Sequence, residues 1–98
     1  MRTIKLMADY ECWPLWEASP GEVGNIDPWD LPISKGLRER LDGWAAVYDA
    51  TLDRDDAARS GFASPAAEQA FLSSGRALRA DLEAELGPEF RIIAHAPL

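Results

Sequence analysis

Residues 2–13 read RTIKLMADYECW, and apolar side chains alternate with polar ones along most of this segment. A period of two is typical of a β-strand with one buried face. The apolar residues of one parity are Ile4, Leu6, Ala8, Tyr10 and Cys12. Near the other end of the chain, Phe90, Ile92 and Ala94 alternate in the same way. We therefore predict a first and a last strand, with Cys12 as a small buried core residue.

Two amphipathic helices are predicted between these strands. Ser34 is the expected N-cap of the first helix, and Ser64 followed by Pro65 opens the second. Gly87 followed by Pro88 ends the second helix. The apolar residues that recur at helical spacing are Leu37, Leu41, Trp44, Ala45, Tyr48 and Leu52 in the first helix, and Phe71, Leu72, Gly75, Leu78, Leu82 and Leu86 in the second.

The order of these elements predicts an α+β fold of the form β(β)ααβ in a single domain, 1–98. The first and last strands are expected to pair in parallel within a small two- or three-stranded sheet, with both helices packed on one face. The optional strand covers residues 22–26, after the turn at residues 19–21. Residues 15–17 are interpreted as a continuation of the first strand past Pro14.

One face of such a sheet is left open. An apolar open face is expected to be covered either by the Pro/Trp loop, residues 27–32, or by another molecule. The exposed edges of so small a sheet favour the second outcome, in the form of a homodimer.

Residues 7–34 carry the clearest functional indication, with six acidic residues, no Lys or Arg, and three of the four tryptophans. Carboxylates attract a basic partner, and stiff aromatic rings bury area at a low entropic cost. Further aspartates crowd the C-terminal end of the first helix, where the helix dipole disfavours negative charge. The alternative is that these acids only promote solubility. The predicted partner-binding residues are Asp9, Glu11, Trp13, Trp16, Trp29, Asp49, Asp53, Asp55 and Asp56.

Composition restricts the classes of partner. A net charge of −7 and a pI near 4.5 argue against nucleic acid and anionic membranes, and favour a basic protein. A single cysteine and the lack of an apolar N-terminal segment predict a cytoplasmic protein. The only histidine, His95, is predicted on the sheet face opposite to Cys12, so a catalytic pair is not expected.

Several segments carry a resemblance: ADYECWPLWE (8–17), GNIDP (24–28), YDATL (48–52) and SGF (60–62). They resemble a group of small bacterial proteins, of an actinobacterial type, for which no activity is established. The resemblance covers nearly the whole chain and implies a single cytoplasmic domain, but it implies no substrate or functional residue. The small acidic immunity proteins of bacterial toxin systems are similar to this chain only in size and charge, which is an analogy and not a motif match.

The leading hypothesis is an acidic protein-binding module, such as an inhibitor or immunity-type protein, that binds a basic partner. The alternative is a small-molecule-binding or enzymatic domain with a pocket between the open sheet face and the Pro/Trp loop, residues 27–32. In that pocket Tyr10, Trp13 and Trp29 would hold a cationic or aromatic ligand. No cofactor or metal is predicted, and an enzyme is the less favoured class.

Overall fold

The computed structural model describes residues 1–52, 55 and 61–94. Their elements are, in chain order, β1 (Arg2–Leu6), β2 (Leu15–Glu17), β3 (Asn25–Ile26), a 3-10 helix (Pro28–Asp30), α1 (Lys35–Asp49), α2 (Pro65–Leu86) and β4 (Phe90–Ala94). The described strands form one mixed sheet in the spatial order β3-β2-β1-β4. The predicted α+β class is confirmed. The predicted count of two or three strands is wrong, because four strands are present in the described chain.

The first strand is shorter than predicted because the chain turns back after Leu6. The N–H of Met7 donates to the carbonyl of Pro14 across this turn, at 2.9 Å. The chain then returns as β2, antiparallel to β1. Apolar and polar residues still alternate over residues 8–12, although these residues form the turn. The alternation therefore predicted a strand where none is present. Cys12 consequently lies in the turn and is half-buried, not in the core as predicted.

β1 pairs with β4 in parallel, as predicted, and Ile4 lies opposite Ile92. Leu6 lies opposite Leu15 of β2, which lies opposite Ile26 of β3. Directly opposite residues share one face of a sheet. These five buried side chains therefore line a single face, and the helices pack against it.

The helix ends match the sequence signals. The Oγ of Ser34 accepts the N–H of Leu37, and the Oγ of Ser64 accepts the N–H of Ala67. The carboxylate of Glu85 in α2 also accepts the N–H and the Oγ–H of Ser34, at 2.6 and 2.8 Å. The last turn of α2 is thereby joined to the N-cap of α1. Neither helix of the described chain is long and apolar enough to span a bilayer.

The core joins both helices to the sheet. Its buried residues are Ile4, Leu6, Leu15, Ile26, Leu31, Ile33, Leu37, Leu41, Trp44, Phe71, Leu78, Leu82, Leu86 and Ile92. Trp44 stacks on Phe71 with 4.4 Å between ring centroids, and its indole N–H donates to the Phe71 carbonyl. The partly buried Tyr10, Tyr48 and Phe90 were predicted in the core and lie at its boundary.

Leu41→Ala tests this core. Leu41 is fully buried, so truncating it removes apolar contacts and leaves a cavity. We expect the free energy of unfolding in urea to fall by about 2–5 kcal/mol. Gln69→Ala, at an exposed position of α2, is the control and should change it by less than about 0.5 kcal/mol. Equal effects of the two substitutions would contradict the assigned core.

Glu17 makes stability depend on pH. Its carboxylate accepts hydrogen bonds from Ser19 Oγ at 2.7 Å and from Arg2 Nε at 2.9 Å. The Ser19 hydrogen bond, followed by the interactions with Arg2, holds the pKa of Glu17 below its ordinary value of 4.5. A lowered folded-state pKa stabilises the fold above the unfolded pKa, and this contribution is lost as pH falls through the folded pKa. Denaturant titrations from neutral to acidic pH should therefore show a smaller loss of stability in Glu17→Gln than in the wild type.

Candidate functional site

A cleft of about 460 Å³ lies between the turn at residues 9–13 and one side of α1. The helical wall is formed by Asp42, Ala45, Ala46 and Asp49. Positions spaced by three, four and seven residues share one side of a helix, so the two carboxylates lie on either side of a small apolar floor. The opposite wall is formed by Glu11, Cys12, Trp13 and Asn25. The cleft therefore combines carboxylates with an aromatic ring.

The turn is joined to α1 by one hydrogen bond. The backbone N–H of Glu11 donates to Asp49 Oδ1 at 2.9 Å. Glu11 has φ of 59°, in the left-handed region that costs a residue with a side chain roughly 1–2 kcal/mol. A charge-assisted hydrogen bond contributes a similar amount, so Asp49 offsets this cost and fixes the turn.

Trp13 is held through its backbone. Asn25 accepts the N–H of Trp13 at 2.9 Å and donates its amide to the carbonyls of Trp13 and Leu15. Trp13 is 46% exposed. An exposed aromatic residue on a fixed backbone is suited to a protein interface, because its backbone has little conformational entropy left to lose on binding.

Trp29 is held on three sides. Its N–H donates to Asp27 Oδ1, and its indole N–H donates to Asp42 Oδ2 at 2.8 Å. The guanidinium of Arg38 lies 5.4 Å from the ring centroid, within the range of a cation–π contact. Trp29 is nevertheless 44% exposed. Because Asp42 also lines the cleft, Trp29 lies at its border.

Four of the predicted site residues are thus brought together: Glu11, Trp13, Asp49 and, through Asp42, Trp29. Trp16 is placed elsewhere. It lies opposite Lys5 in the sheet, on the face away from the helices, and its indole N–H donates to the Met7 carbonyl.

The remaining acidic residues are not part of the cleft lining. Asp9 is exposed at the start of the turn, where its carboxylate accepts the N–H of Tyr10. Asp55 is exposed, and Asp53 and Asp56 lie outside the described residues, as does His95.

The sequence prediction did not include Asp42. A signal was available, because Asp42 precedes Asp49 by seven residues within one predicted helix and so shares its side. The prediction instead followed the run of aspartates beyond residue 49. The wall of the cleft depends on helical spacing, not on the density of charge along the chain.

Tyr10 has a structural role at the base of the turn. It stacks on Tyr48, with 4.7 Å between centroids, and its hydroxyl pairs with Thr51 Oγ1. Burial, followed by the interactions with Tyr10 and Asp9, raises the pKa of Tyr48 above its ordinary value, so the Tyr48 hydroxyl stays protonated at physiological pH. Among the described residues, no group of three or more His, Cys, Asp or Glu side chains is arranged to hold a metal ion.

A small α+β domain whose preformed cleft joins acidic groups to exposed tryptophans has the features of a protein-binding module. Residues 2–96 match a family model described as Serratia CdiI immunity protein-like. The chain belongs to this family of immunity-type proteins. A comparison with curated proteins gave no match.

Asp42→Ala tests how Trp29 is held. The substitution removes the acceptor of the indole N–H, so we expect the Trp29 indole proton to exchange with solvent faster in ¹⁵N-resolved NMR spectra. Asp30→Ala removes the same charge from the residue next to Trp29 and is the control. An equal change in both variants would mean that the Asp42 hydrogen bond does not fix the ring.

Proposed function

We propose that this protein is an immunity protein that neutralises a toxin by binding it, and that the cleft between the turn and α1 is the docking surface. The family match over residues 2–96 carries the first part of this proposal. The position of Glu11, Asp42 and Asp49 around one cleft supports the second part. The partner is then a basic protein surface, and binding takes place in the cytoplasm, where an immunity protein protects the cell that makes it.

Charge and rigidity support this surface over others on the described chain. The carboxylates attract a basic partner over distances near the Debye length, about 8 Å at physiological salt. Trp13 and Trp29 provide exposed aromatic area, on a backbone that is held for Trp13 and with a ring that is held for Trp29. Buried aromatic anchors surrounded by polar groups are the usual composition of an interface hot spot.

The small-molecule alternative receives less support. It required a pocket between the open sheet face and the Pro/Trp loop. Trp29 of that loop is bonded to α1, and Tyr10 is stacked on Tyr48. Two of the three aromatic residues assigned to a ligand are therefore held in other contacts.

Association kinetics with a cognate toxin domain, sought among the products of the genes that flank this one, test the docking surface. Reversing charge at Glu11 should slow association by about 10-fold at about 50 mM salt, and by less at about 200 mM, because exposed charges act mainly on the association rate and are screened by salt. Glu68→Lys, an equal change on the exposed side of α2, is the control. Reversing the charge of Asp53, Asp55 and Asp56 together tests, in the same assay, the predicted role of the aspartates at the C-terminal end of the first helix.

Trp29→Ala should act on the other rate constant. Loss of an aromatic anchor typically costs at least about 2 kcal/mol, so dissociation should accelerate by about 30-fold with little change in association. If the toxin domain binds with rate constants unchanged by both Glu11→Lys and Trp29→Ala, the cleft is not the docking surface. If it does not bind the wild type at all, the immunity function fails for that toxin.

A further inference from the structure

The face of the sheet away from the helices has the opposite charge to the rest of the protein. Lys5 lies opposite Trp16 and Ile93, and Thr3 lies opposite Arg91, so these side chains share this face. The only carboxylate in the four described strands is that of Glu17, which lies opposite Ile4 on the helix side. In a chain of net charge −7, the strands thus present a cationic face with an aromatic centre.

The cations of this face differ from most others in the described chain. Arg2, Arg40 and Arg79 form ion pairs with carboxylates at 2.7–3.2 Å. The side chains of Lys5 and Arg91 form no ion pair or hydrogen bond with another described residue. Their charges are therefore available to a second molecule, whereas four of the other six described basic side chains are paired with carboxylates within the fold.

The Pro/Trp loop does not cover this face. Trp29 is bonded to Asp42 of α1, and Leu31 and Ile33 are buried in the core on the helix side. Two covers were predicted for the open face, the Pro/Trp loop and another molecule. The structure excludes the loop, so contact with another molecule is the cover that remains.

We propose that the open sheet face of one copy binds the acidic cleft of a second copy, so that the protein self-associates head to tail. The two surfaces are complementary in charge: Lys5 and Arg91 on the sheet face the carboxylates of Glu11, Asp42 and Asp49 in the cleft. Each surface also carries an aromatic ring, Trp16 on the sheet and Trp13 in the cleft.

A symmetric contact between two open sheet faces is disfavoured by the same charges. Lys5 lies on the central strand β1, between Trp16 and Ile93. Stacking two such faces about a two-fold axis brings the Lys5 side chains towards each other, and like charges across a contact cost free energy. Head-to-tail contact avoids this repulsion.

The contact is weak because the face is small. Four strands of at most five residues present about 300 Å² from strand geometry, against about 800 Å² per partner in a stable interface. Attraction between exposed charges is also screened by salt. Self-association should therefore be visible at high protein concentration and low salt.

Sedimentation equilibrium of the full chain tests the proposal. At about 1 mM protein and about 50 mM salt, the weight-average mass should exceed the monomer mass of 10.8 kDa and should return to it at about 500 mM salt, where screening is nearly complete. Lys5→Glu with Arg91→Glu should remain monomeric at both salt concentrations. Lys35→Glu with Arg76→Glu carries the same change of net charge at exposed positions of the helices and should associate like the wild type.

Complementation separates head-to-tail contact from face-to-face contact. A cleft variant, Glu11→Gln with Asp42→Asn and Asp49→Asn, keeps the side-chain amide oxygens as acceptors while it removes the negative charge. It should be monomeric alone. Mixed with the sheet-face variant, it should form complexes of no more than twice the monomer mass, because the wild-type contact between them can form only once.

Two results would overturn the proposal: a wild type that stays monomeric at low salt, or a cleft variant that associates by itself. Circular dichroism and the thermal midpoint establish that each variant is folded, and Lys5→Gln with Arg91→Gln replaces the sheet-face variant if it does not fold. The contact uses the cleft that the proposed function assigns to the toxin. No toxin is present in these measurements, so either proposal can fail without the other.

Discussion

The rest of the fold depends on the parallel pairing of β1 with β4. Parallel neighbours require a long crossover connection, and here the connection contains both helices. Both helices consequently cover the face that carries Ile4 and Ile92. β2 and β3 extend the sheet on the other side of β1 through antiparallel pairing and add no cover to the opposite face. The two surfaces assigned to partners follow from this asymmetry: a cleft beside a helix and an open sheet face.

Local signals allowed much of the fold to be predicted from the sequence. Ser34, Ser64 and Gly87 mark helix ends through hydrogen bonds and backbone conformations that involve only near neighbours. The failures concern contacts between distant residues. Leu31 and Ile33 are buried because the loop packs on the core, and no periodic pattern around the flanking prolines indicates this. The turn after Leu6 was missed because its residues alternate in polarity like those of a strand.

The candidate site was predictable only in part, because its membership also depends on contacts between distant residues. Glu11, Trp13 and Asp49 were identified by charge and aromatic character, and the structure places them around one cleft. Trp16 is also aromatic but lies on the sheet face away from the helices. The register that pairs it with Lys5 is set by the unpredicted turn. Composition therefore identified the types of residue in the candidate site. The sheet register excludes Trp16 from it, and helical spacing adds Asp42.

The contact between Glu11 and Asp49 is not explained by stability. Asp49 is the last residue of α1, where the dipole disfavours a carboxylate by about 0.3–1 kcal/mol. The left-handed backbone of Glu11 costs roughly 1–2 kcal/mol. The hydrogen bond between the Glu11 N–H and the Asp49 carboxylate contributes about 1.5–3 kcal/mol. These terms nearly cancel, so the arrangement fixes the position of two acidic residues at little net gain in stability. Backbone strain of this kind is concentrated at binding and catalytic sites, because a binding surface requires its charges in a defined position even where the fold does not.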